Sequence, residues 1–413
     1  MINECNLMVL GGGIGQVPLI QSAKNLGFRT IVVGSPGNYP GYKIADICLE
    51  FNFMEKVKII EAVKKYKING IVTQVDSAVE IAAEVAEEQG LPSIGLDVAK
   101  KFTNKKLMHE ECEKLGVRVA RWYSVRSLEE AYFKIRSFEY PFVVKPSDSS
   151  ASKGVSIIEN VTEVENALKN AFLNSDSNEI IIEEFIEGEE YVFESITNNN
   201  STTILAVGKR EYFNIKGKKI PSATIFYNYE NDSVVKEASE ICADYISGSG
   251  LLWGLSHSEF IINRGTNEIV FIETSARGGG ASISSDLVPL YTGININELL
   301  VKMAVGQKVE IPKKNKTNKI VAYISFLMKP GIIKNDFNST AIEMLSGVKK
   351  VYGVNFKKGD IVGEIDHKGS RYGPIVIEAK DMDDFEMIKS NVMKKVSFLH
   401  SFKNKVYQDA IWN

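Results

Sequence analysis

The sequence predicts a mixed α/β and α+β protein of three parts, and three observations lead to that fold class. About the first hundred residues alternate apolar strand signals with amphipathic helices, as in a parallel sheet covered by helices on both faces. The central region opens with a helical pattern and continues with apolar strands. About the last hundred residues carry short strands and one helix. We therefore expect domains at residues 1–98, 99–311 and 312–413.

The N-terminal part is predicted to be a Rossmann-like parallel sheet. Its expected strands are Leu7–Leu10, Thr30–Val33, Ile44–Leu49 and Ile71–Thr73. Its expected helices are Val17–Leu26, Met54–Tyr66 and Ala78–Gln89. The alternation of the two sets makes a parallel arrangement the natural one, because helical crossovers return the chain to the same edge of the sheet.

A glycine-rich turn, Gly11–Gly13, follows the first strand and invites comparison with a dinucleotide fingerprint. The third glycine of that fingerprint is missing, because Gln16 stands in its place. The acidic residue expected at the end of the second strand is also missing, and Gly34 and Ser35 stand there. We therefore predict a tight strand-to-helix turn or a small-ligand contact, and no NAD site.

The central and C-terminal parts contain further strands and helices. A helical bridge is predicted at Lys100–Gly116. The expected strands are Phe142–Lys145, Gly154–Ile158, Ile180–Glu184, Tyr191–Thr197, His257–Ile262 and Ile269–Thr274, with helices at Thr162–Leu173 and Ile296–Val305. A basic linker is predicted at Pro312–Lys319, followed by strands around Val321–Leu327 and Ile375–Glu378 and a helix at Asp383–Phe398.

The composition limits the class of protein. The 413 residues are 44% apolar and 24% charged, as in an ordinary globular protein. Lysines and arginines number 49 against 52 aspartates and glutamates, and this balance argues against nucleic acid or an anionic membrane as a partner. The four cysteines have no CxxC spacing, which excludes a zinc site of that type and a disulfide framework. No apolar run approaches the roughly 18 residues of a membrane span, so we expect a cytoplasmic protein.

Chemistry-bearing residues occur in four segments of the central region. These are the strand and loop from Tyr140 to Val155, the acidic run from Ile181 to Tyr191, the short segment His257–Glu259, and the segment Ile272–Gly280. Their order and spacing resemble the ATP-grasp superfamily, closest in pattern to bacterial L-amino acid ligases and similar also to biotin carboxylase, carbamoyl-phosphate synthetase and purine-pathway ligases. The resemblance covers about residues 5–310. It implies a pre-ATP-grasp N-terminal domain, a two-lobed ATP-grasp core with a lid at about residues 115–190, and a small C-terminal α+β domain.

The resemblance implies an ATP site. Two lysines, Lys105 and Lys145, would contact the phosphates. The loop residues expected to cover the phosphates are Ser149, Ser150, Ser152 and Gly154. The hinge residues expected to contact adenine are Glu183, Glu184, Phe185 and Ile186, with Glu190 on the ribose. His257 precedes a metal residue by two positions, so strand alternation puts it on the same face, lining the site or serving as a structural histidine. Lys209 and Arg210 fit either a contact to phosphates or second substrate, or a surface position.

The same resemblance implies a metal and substrate site. Glu259 and Glu273 would bind Mg²⁺ or Mn²⁺, and carboxylate oxygen is the ligand that such hard cations prefer. Many relatives have asparagine where Ser275 stands, so the third metal ligand would be this hydroxyl or a water. Arg277 would stabilise the reacting centre. The glycine run Gly278, Gly279 and Gly280 would approach the carboxylate substrate closely, because glycine has no side chain. For these acids and for Arg277 the alternative is a structural ion pair.

These residues predict an ATP-dependent carboxylate–amine ligase that forms an amide or peptide bond through an acyl phosphate. Arg277 and Lys145 would be catalytic, an amino acid is the expected substrate, and ADP and phosphate the other products. Two alternatives remain: a bicarbonate-using carboxylase or carbamoylating enzyme, and a non-catalytic nucleotide-binding regulatory protein. A homodimer is possible. Arg371, in the C-terminal part, resembles a residue that contacts the cleft in relatives.

Overall fold

A computed structural model describes residues 5–150, 152–215, 218–313, 317–365, 368–402 and 405–413. The protein folds around three sheets that follow one another along the chain, with a small fourth sheet near the C-terminus. Within these ranges, no helix combines the length and the hydrophobicity needed to cross a bilayer.

The N-terminal domain is a parallel sheet in the order β3-β2-β1-β4. Its strands are β1 (Asn6–Leu10), β2 (Arg29–Gly34), β3 (Ile47–Glu50) and β4 (Gly70–Thr73). Its helices are α1 (Val17–Asn25), α2 (Lys56–Lys65) and α3 (Val79–Glu88). All five residues of β1 are buried, as expected for a central parallel strand covered on both faces. The predicted Rossmann-like domain is therefore confirmed.

Two helices, and not one continuous bridge, lead into the central region. They are α4 (Leu96–Lys101) and α5 (Lys105–Leu115). The Asn104 side chain accepts hydrogen bonds from the N–H groups of Lys106 and Leu107, so it caps α5 and starts a new helix there. Lys105 thus occupies the first position of α5. Gly116 ends the helix in the left-handed conformation, with φ of 71°.

The first lobe of the central region is an antiparallel sheet in the order β5-β8-β6-β7, which we call the lid sheet. Its strands are β5 (Trp122–Val125), β6 (Phe142–Pro146), β7 (Ser156–Ile158) and β8 (Ile180–Glu184). Helices α6 (Leu128–Ile135) and α7 (Val164–Leu173) belong to the same lobe. Strand β5 and helix α6 had no counterpart in the sequence prediction.

The largest sheet, which we call the central sheet, runs in the order β13-β12-β9-β10-β11-β14-β18-β16 and is antiparallel. Its strands from the central region are β9 (Glu189–Asn198), β10 (Ser201–Ile215), β11 (Lys218–Phe226), β12 (Trp253–Asn263) and β13 (Glu268–Ser275). The helices of this region are α8 (Ser233–Gly248), α9 (Val288–Thr292) and α10 (Ile296–Ala304), with a π-helical turn at Ile283–Leu287. The ATP-grasp type of fold, with antiparallel sheets after a parallel one, is confirmed.

The C-terminal part adds strands to the central sheet and forms the fourth sheet. Its strands are β14 (Ile320–Phe326), β15 (Gly331–Ile333), β16 (Val348–Val351), β17 (Ile361–Val362), β18 (Tyr372–Ala379), β19 (Ser397–Phe402) and β20 (Lys405–Asp409). Its helices are α11 (Thr340–Glu343) and α12 (Met382–Lys395). Because β14, β18 and β16 continue the central sheet, this part shares its backbone hydrogen bonds with the ATP-grasp core. The domain limits given above remain predictions.

The sequence prediction was also wrong at the end of the last helix and incomplete between the strands of the central sheet. The last helix ends at Lys395 and not at Phe398, because residues 397–402 form β19 and pair with β15 and β20. Helix α8 was missed, although Asp232 caps it and Val235, Ala238, Cys242 and Tyr245 follow at helical spacing on its buried face. Part of the predicted linker, residues 314–316, lies outside the described residues.

A shared core fixes the N-terminal domain against the central sheet. Helices α1 and α10 contribute to one buried cluster that also contains Val192, Leu255 and Phe226 from the central sheet. Gly70, the first residue of β4, lies against the end of α10: a Cβ there would fall inside the van der Waals radius of the Ala304 carbonyl oxygen. The absence of a side chain at Gly70 therefore lets β4 approach α10 closely.

Gly70→Ala should lower the free energy of unfolding by about 2 kcal/mol, the usual cost of overpacking, because the clash is with backbone that cannot rotate away. Gly363→Ala is the matched control, since a Cβ at Gly363 meets no atom within 4 Å. Urea unfolding of both variants measures the difference. Equal stability of the two variants would contradict the proposed close contact between β4 and α10.

Candidate active site

One face of the central sheet carries most of the charged residues that the sequence singled out, and we call it the charged face. On β9 it presents Glu190 and Glu194, and on the neighbouring strand β12 it presents His257 and Glu259. The next strand, β13, adds Glu273 and Ser275, since Glu259 pairs with Glu273 and His257 pairs with Ser275. The register therefore brings the predicted ribose residue Glu190 onto one surface with the predicted metal residues Glu259 and Glu273, which follow it in the sequence by 69 and 83 residues.

Glu259 and Glu273 are direct cross-strand partners, next to a register shift between Glu259 and Phe260. Like charges in this position destabilise a sheet unless a cation lies near them. Here Arg210 of β10 contacts Glu259, and Lys105 Nζ lies 3.3 Å from Glu273 Oε2. The two acids thus form the structural ion pairs that the sequence analysis gave as the alternative to metal binding. These ion pairs are compatible with the proposal that the same two acids bind a metal ion.

The donor set fits Mg²⁺. This ion usually takes one or two protein carboxylates and completes its octahedron with phosphate oxygens and water. Glu259 and Glu273 supply two carboxylates from adjacent strands. Among the described residues, no group of three His, Cys, Asp or Glu could hold an ion without further ligands. The arrangement thus suits an ion that arrives with the nucleotide; the role of Ser275 as a third ligand remains a prediction.

The two predicted phosphate lysines are both buried at the lid sheet, Lys145 on β6 and Lys105 on α5. Lys105 is buried, and its Nζ donates to the Ser149 carbonyl oxygen at 2.6 Å. Lys145, also buried, forms an ion pair of 2.6 Å with Glu183. The loop that was expected to cover the phosphates thus begins where Lys105 reaches it. Ser150 and Ser152 are exposed in this loop, Gly154 is buried with φ of 73°, and Ala151 lies outside the described residues.

A buried histidine, His109, lies near both lysines and was not predicted. It is one turn after Lys105 on α5, and its Nε2 is 3.7 Å from Glu183 Oε2. Burial, followed by the charges of Lys145 and Lys105, lowers the pKa of His109 to about 2. The imidazole is therefore neutral at every physiological pH, and it leaves the positive charge of the two lysines available for an anion.

The predicted adenine hinge follows β8. Glu184 is exposed, while Phe185 and Ile186 are half-buried. The ammonium group of Lys219, on β11, lies 5.2 Å from the centre of the Phe185 ring. A cation from the β10–β11 hairpin therefore borders the hinge. The contacts of these residues with adenine remain predictions.

Arg277 joins the central sheet to the N-terminal domain. Its Nε and Nη2 each donate to the Asp76 carboxylate at 2.6 Å, and its Nη1 donates to the Gly278 carbonyl oxygen at 2.7 Å. Burial would raise the pKa of Asp76, but the Arg277 guanidinium and the Ser275 hydroxyl hold that pKa below its usual range. The two-pronged contact fixes the plane of the guanidinium and directs it along the edge of the cleft.

The glycine run is held by its backbone. Gly278 N–H donates to the Gln74 side-chain oxygen at 2.9 Å, and Gly279 N–H donates to Glu194 Oε2 at 2.9 Å. A Cβ on Gly279 would collide with Glu194 and His257. Gly280 is exposed and faces open space. The first two glycines are therefore required by close packing.

His257 lies between two carboxylates. Its Nδ1 contacts Glu194 Oε1 and its Nε2 is 3.2 Å from Glu259 Oε1. Burial alone would lower the pKa of His257, but Glu194 and Glu259 raise it to about 9. His257 therefore carries a positive charge at neutral pH and connects a predicted metal residue to the acid that holds Gly279.

Sequence reasoning missed Asp76 and Glu194 and left Arg210 undecided. Asp76 follows β4 at the carboxyl end of a parallel sheet, where ligand-binding residues collect, so a signal was present. Glu194 lies four residues after Glu190 on one strand, and alternation puts both on the same face. Arg210 is buried on the charged face, whereas Lys209 is partly exposed and pairs with Glu189.

Comparisons with known proteins agree with this geometry. The family model of the phosphoribosylglycinamide synthetase ATP-grasp (A) domain matches residues 103–217. A formate-dependent phosphoribosylglycinamide formyltransferase of Trichormus variabilis is 29% identical over 320 residues, which cover 74% of this chain and 77% of the relative. The chain matches an ATP-grasp domain model over residues 103–217, and the matches support a place in the ATP-grasp superfamily. It is an ADP-forming, ligase-type enzyme, as the sequence predicted, and enzymes of this superfamily use ATP with Mg²⁺.

Solved structures of ATP-grasp proteins share the whole fold. The L-amino acid ligase from Bacillus licheniformis matches with a TM-score of 0.81 at 18% identity, covering 98% of this chain and 100% of that one. The biotin carboxylase domain of Hydrogenobacter thermophilus 2-oxoglutarate carboxylase, solved with MgADP and bicarbonate, matches with a TM-score of 0.74 at 15% identity, covering 98% and 91%. At these identities the likeness concerns the ATP-grasp fold.

Glu273→Gln should raise the Mg²⁺ concentration needed for half-maximal binding of an ATP analogue by about tenfold or more, since an amide is a poorer ligand for a hard cation. Glu268→Gln is the matched control, because Glu268 is on the same strand with the same 32% side-chain exposure and pairs with Arg118. Calorimetry at a series of Mg²⁺ concentrations measures both. The same Mg²⁺ requirement in the two variants would remove Glu273 from the metal site.

Asp76→Asn should reduce ADP release by about 10–10²-fold while leaving nucleotide affinity within about twofold, because Arg277 keeps its charge but loses its fixed orientation. Asp244→Asn, on the exposed side of α8, is the control. The measurement is ADP release with an acid and amine pair that supports turnover of the wild type. Full turnover of Asp76→Asn would mean that the ion pair does not position Arg277 for the reaction.

Proposed function

We propose that this ATP-grasp enzyme joins a small carboxylic acid to an amine through an acyl phosphate, releasing ADP and phosphate, with an amino acid as one substrate. The observation that carries the proposal is the placement of Arg277 and the glycine run beside the paired carboxylates Glu259 and Glu273. A cation and a closely packed backbone without side chains, beside a metal–phosphate site, would let a carboxylate lie where it can accept a phosphoryl group.

The residues divide the work by position. Lys105 and Lys145 are buried cations, Lys105 in contact with Ser149 of the loop and Lys145 on β6, and both would neutralise phosphate oxygens. Mg²⁺, bound by Glu259, Glu273 and the phosphates, would lower the charge on the transferred phosphoryl group. Arg277 keeps one N–H on each terminal nitrogen beyond its contacts with Asp76 and Gly278, and these can donate to the substrate carboxylate. Catalysis then rests on positioning and on charge, since phosphoryl transfer needs little covalent help from the protein.

For the second substrate we propose a position at the carboxyl ends of β1 and β4, next to the glycine run. Parallel sheets bind ligands at the carboxyl ends of their strands, and β1 and β4 both end there. Gly11 follows β1 with φ of 102° and lies so close to Val75 that a Cβ would approach its side chain to 2.8 Å. Gln74 connects the same edge to Gly278. An amine bound at this edge would lie next to an acid held by Arg277.

The substrates that we propose are suggested by the relatives. Formate-dependent formyltransferases activate the smallest carboxylic acid, and L-amino acid ligases share this fold at low identity. Both kinds of relative are consistent with a carboxylate substrate. Bicarbonate is the second candidate, because one structural neighbour was solved with that anion. Release of ADP that requires bicarbonate and no other acid would favour it.

Enzyme, ATP, Mg²⁺ and the correct carboxylic acid should convert hydroxylamine into a hydroxamate, with one ADP per hydroxamate. Hydroxylamine is a small nucleophile that replaces the amine and attacks the acyl phosphate, so phosphate leaves. With ¹⁸O-labelled acid and the natural amine, one label should appear in the released phosphate. The Arg277→Met variant should lose this activity by about 10² or more while still binding the nucleotide.

A screen of acids and amines by ADP release identifies the pair to be labelled. Production of AMP and pyrophosphate would exclude the proposed mechanism. Product formation without transfer of ¹⁸O to phosphate would exclude the acyl phosphate as well.

A further inference from the structure

A buried arginine on β10 lies at the centre of the charged face. The Arg210 side chain is 6% exposed, and its Nη1 donates both to Glu190 Oε1 at 2.8 Å and to Glu259 Oε1. Its Nη2 is 3.4 Å from His257 Nε2. Its Nε is buried and has no hydrogen-bond partner among the described residues. One guanidinium therefore serves two carboxylates and still keeps a donor that no acceptor meets.

The two carboxylates that Arg210 neutralises are those assigned to the nucleotide and its metal. Glu190 is the proposed ribose residue and Glu259 the proposed metal residue. A metal ion and a guanidinium compete for the same oxygen of Glu259, since both are cations that bind along its lone pairs. A buried carboxylate without a cation is strongly destabilised. Arg210 thus supplies, without nucleotide, the positive charge that the metal supplies with it.

A nucleotide with its ribose on Glu190 and its metal on Glu259 would bring its phosphates near Arg210, which contacts both acids. The phosphate chain of ATP connects the ribose to the metal, and Arg210 lies between the residues assigned to each. A guanidinium presents several N–H groups in a plane and binds phosphate oxygens well. The unpartnered Nε–H adds a donor that a phosphate oxygen can satisfy, which removes the cost of a buried donor without an acceptor.

We propose that Arg210 is a displaceable counter-ion, which holds Glu190 and Glu259 in the empty site and moves to the nucleotide phosphates when ATP and the metal bind. This inference rests on the nucleotide and metal assignments of the proposed function. It predicts a property that a structural ion pair does not have: removal of Arg210 strengthens metal binding in the empty site and weakens nucleotide binding in the presence of metal.

The test compares Arg210→Met with the wild type in two binding measurements that need no turnover. The first is binding of Mn²⁺ alone, followed by the EPR signal of the free ion. The second is binding of a non-hydrolysable ATP analogue with saturating Mg²⁺, followed by calorimetry. We expect Arg210→Met to bind Mn²⁺ about tenfold more tightly, because Glu259 loses one of the two cationic side chains that contact it and keeps His257, and to bind the analogue about tenfold more weakly.

Two further variants keep the test decisive. Lys209→Met is the matched control, since Lys209 is the neighbouring cation on the same strand, with 39% side-chain exposure and a pair with Glu189; both affinities should stay as in the wild type. Arg210→Lys retains a charge and folds if Arg210→Met does not. Lysine keeps the charge but lacks the Nε–H group and the planar guanidinium, so Mn²⁺ affinity should rise and analogue affinity should fall, each less than in Arg210→Met.

The outcomes separate this inference from the proposed function. Opposite shifts of the two affinities in the Arg210 variants support the displaceable counter-ion. A fall in both affinities would make Arg210 a structural residue, and no change in either would remove it from the site; both results overturn the inference and leave the proposed function intact. A wild type that binds neither the analogue nor Mn²⁺ would overturn the proposed function together with this inference.

Discussion

The structure depends on one electrostatic constraint, the direct opposition of Glu259 and Glu273 on adjacent strands of the central sheet. Two carboxylates in register repel each other, and the repulsion grows as the surroundings become less polar. Three neighbouring elements supply positively charged side chains. β10 supplies Arg210, α5 supplies Lys105, and β12 itself supplies a charged His257. The proposed ATP and metal site gives a functional reason for keeping two acids in register.

The same constraint explains why so many elements converge on one place. Lys105 reaches Glu273 because Asn104 starts a separate helix and directs its first residue toward the loop before β7. Arg277 is fixed by Asp76, which follows β4, the strand that Gly70 lets approach α10. The N-terminal domain therefore supplies the partner of a residue that we propose as catalytic. A change in its packing would be felt at Arg277, since a guanidinium held by two hydrogen bonds follows its partner.

The proposed roles of Arg210 and of the glycine run follow from this arrangement. Both groups have partners within the protein: Arg210 contacts two acids through Nη1, and Gly278 and Gly279 donate to Gln74 and Glu194. Each buried carboxylate of the charged face that Arg210 contacts therefore has a cation beside it. In the proposed binding step, the metal would replace Arg210 at Glu259, and Arg210 would contact the nucleotide phosphates instead. Each carboxylate would then keep a cation beside it.

The sequence by itself determined the parallel N-terminal sheet, the order of the ATP-grasp segments and the type of enzyme, because hydrophobic periodicity and short motifs are local properties. It also put His257 on the same face as Glu259, since strand alternation has a period of two. Tertiary structure alone decided which cation neutralises which acid, the end of α12 at Lys395 and the entry of β14, β16 and β18 into the central sheet. Asp76 and Arg277 are 201 residues apart, a separation that no local motif covers. Pairing between distant strands depends on register and packing over the whole sheet, and a local pattern does not contain that information.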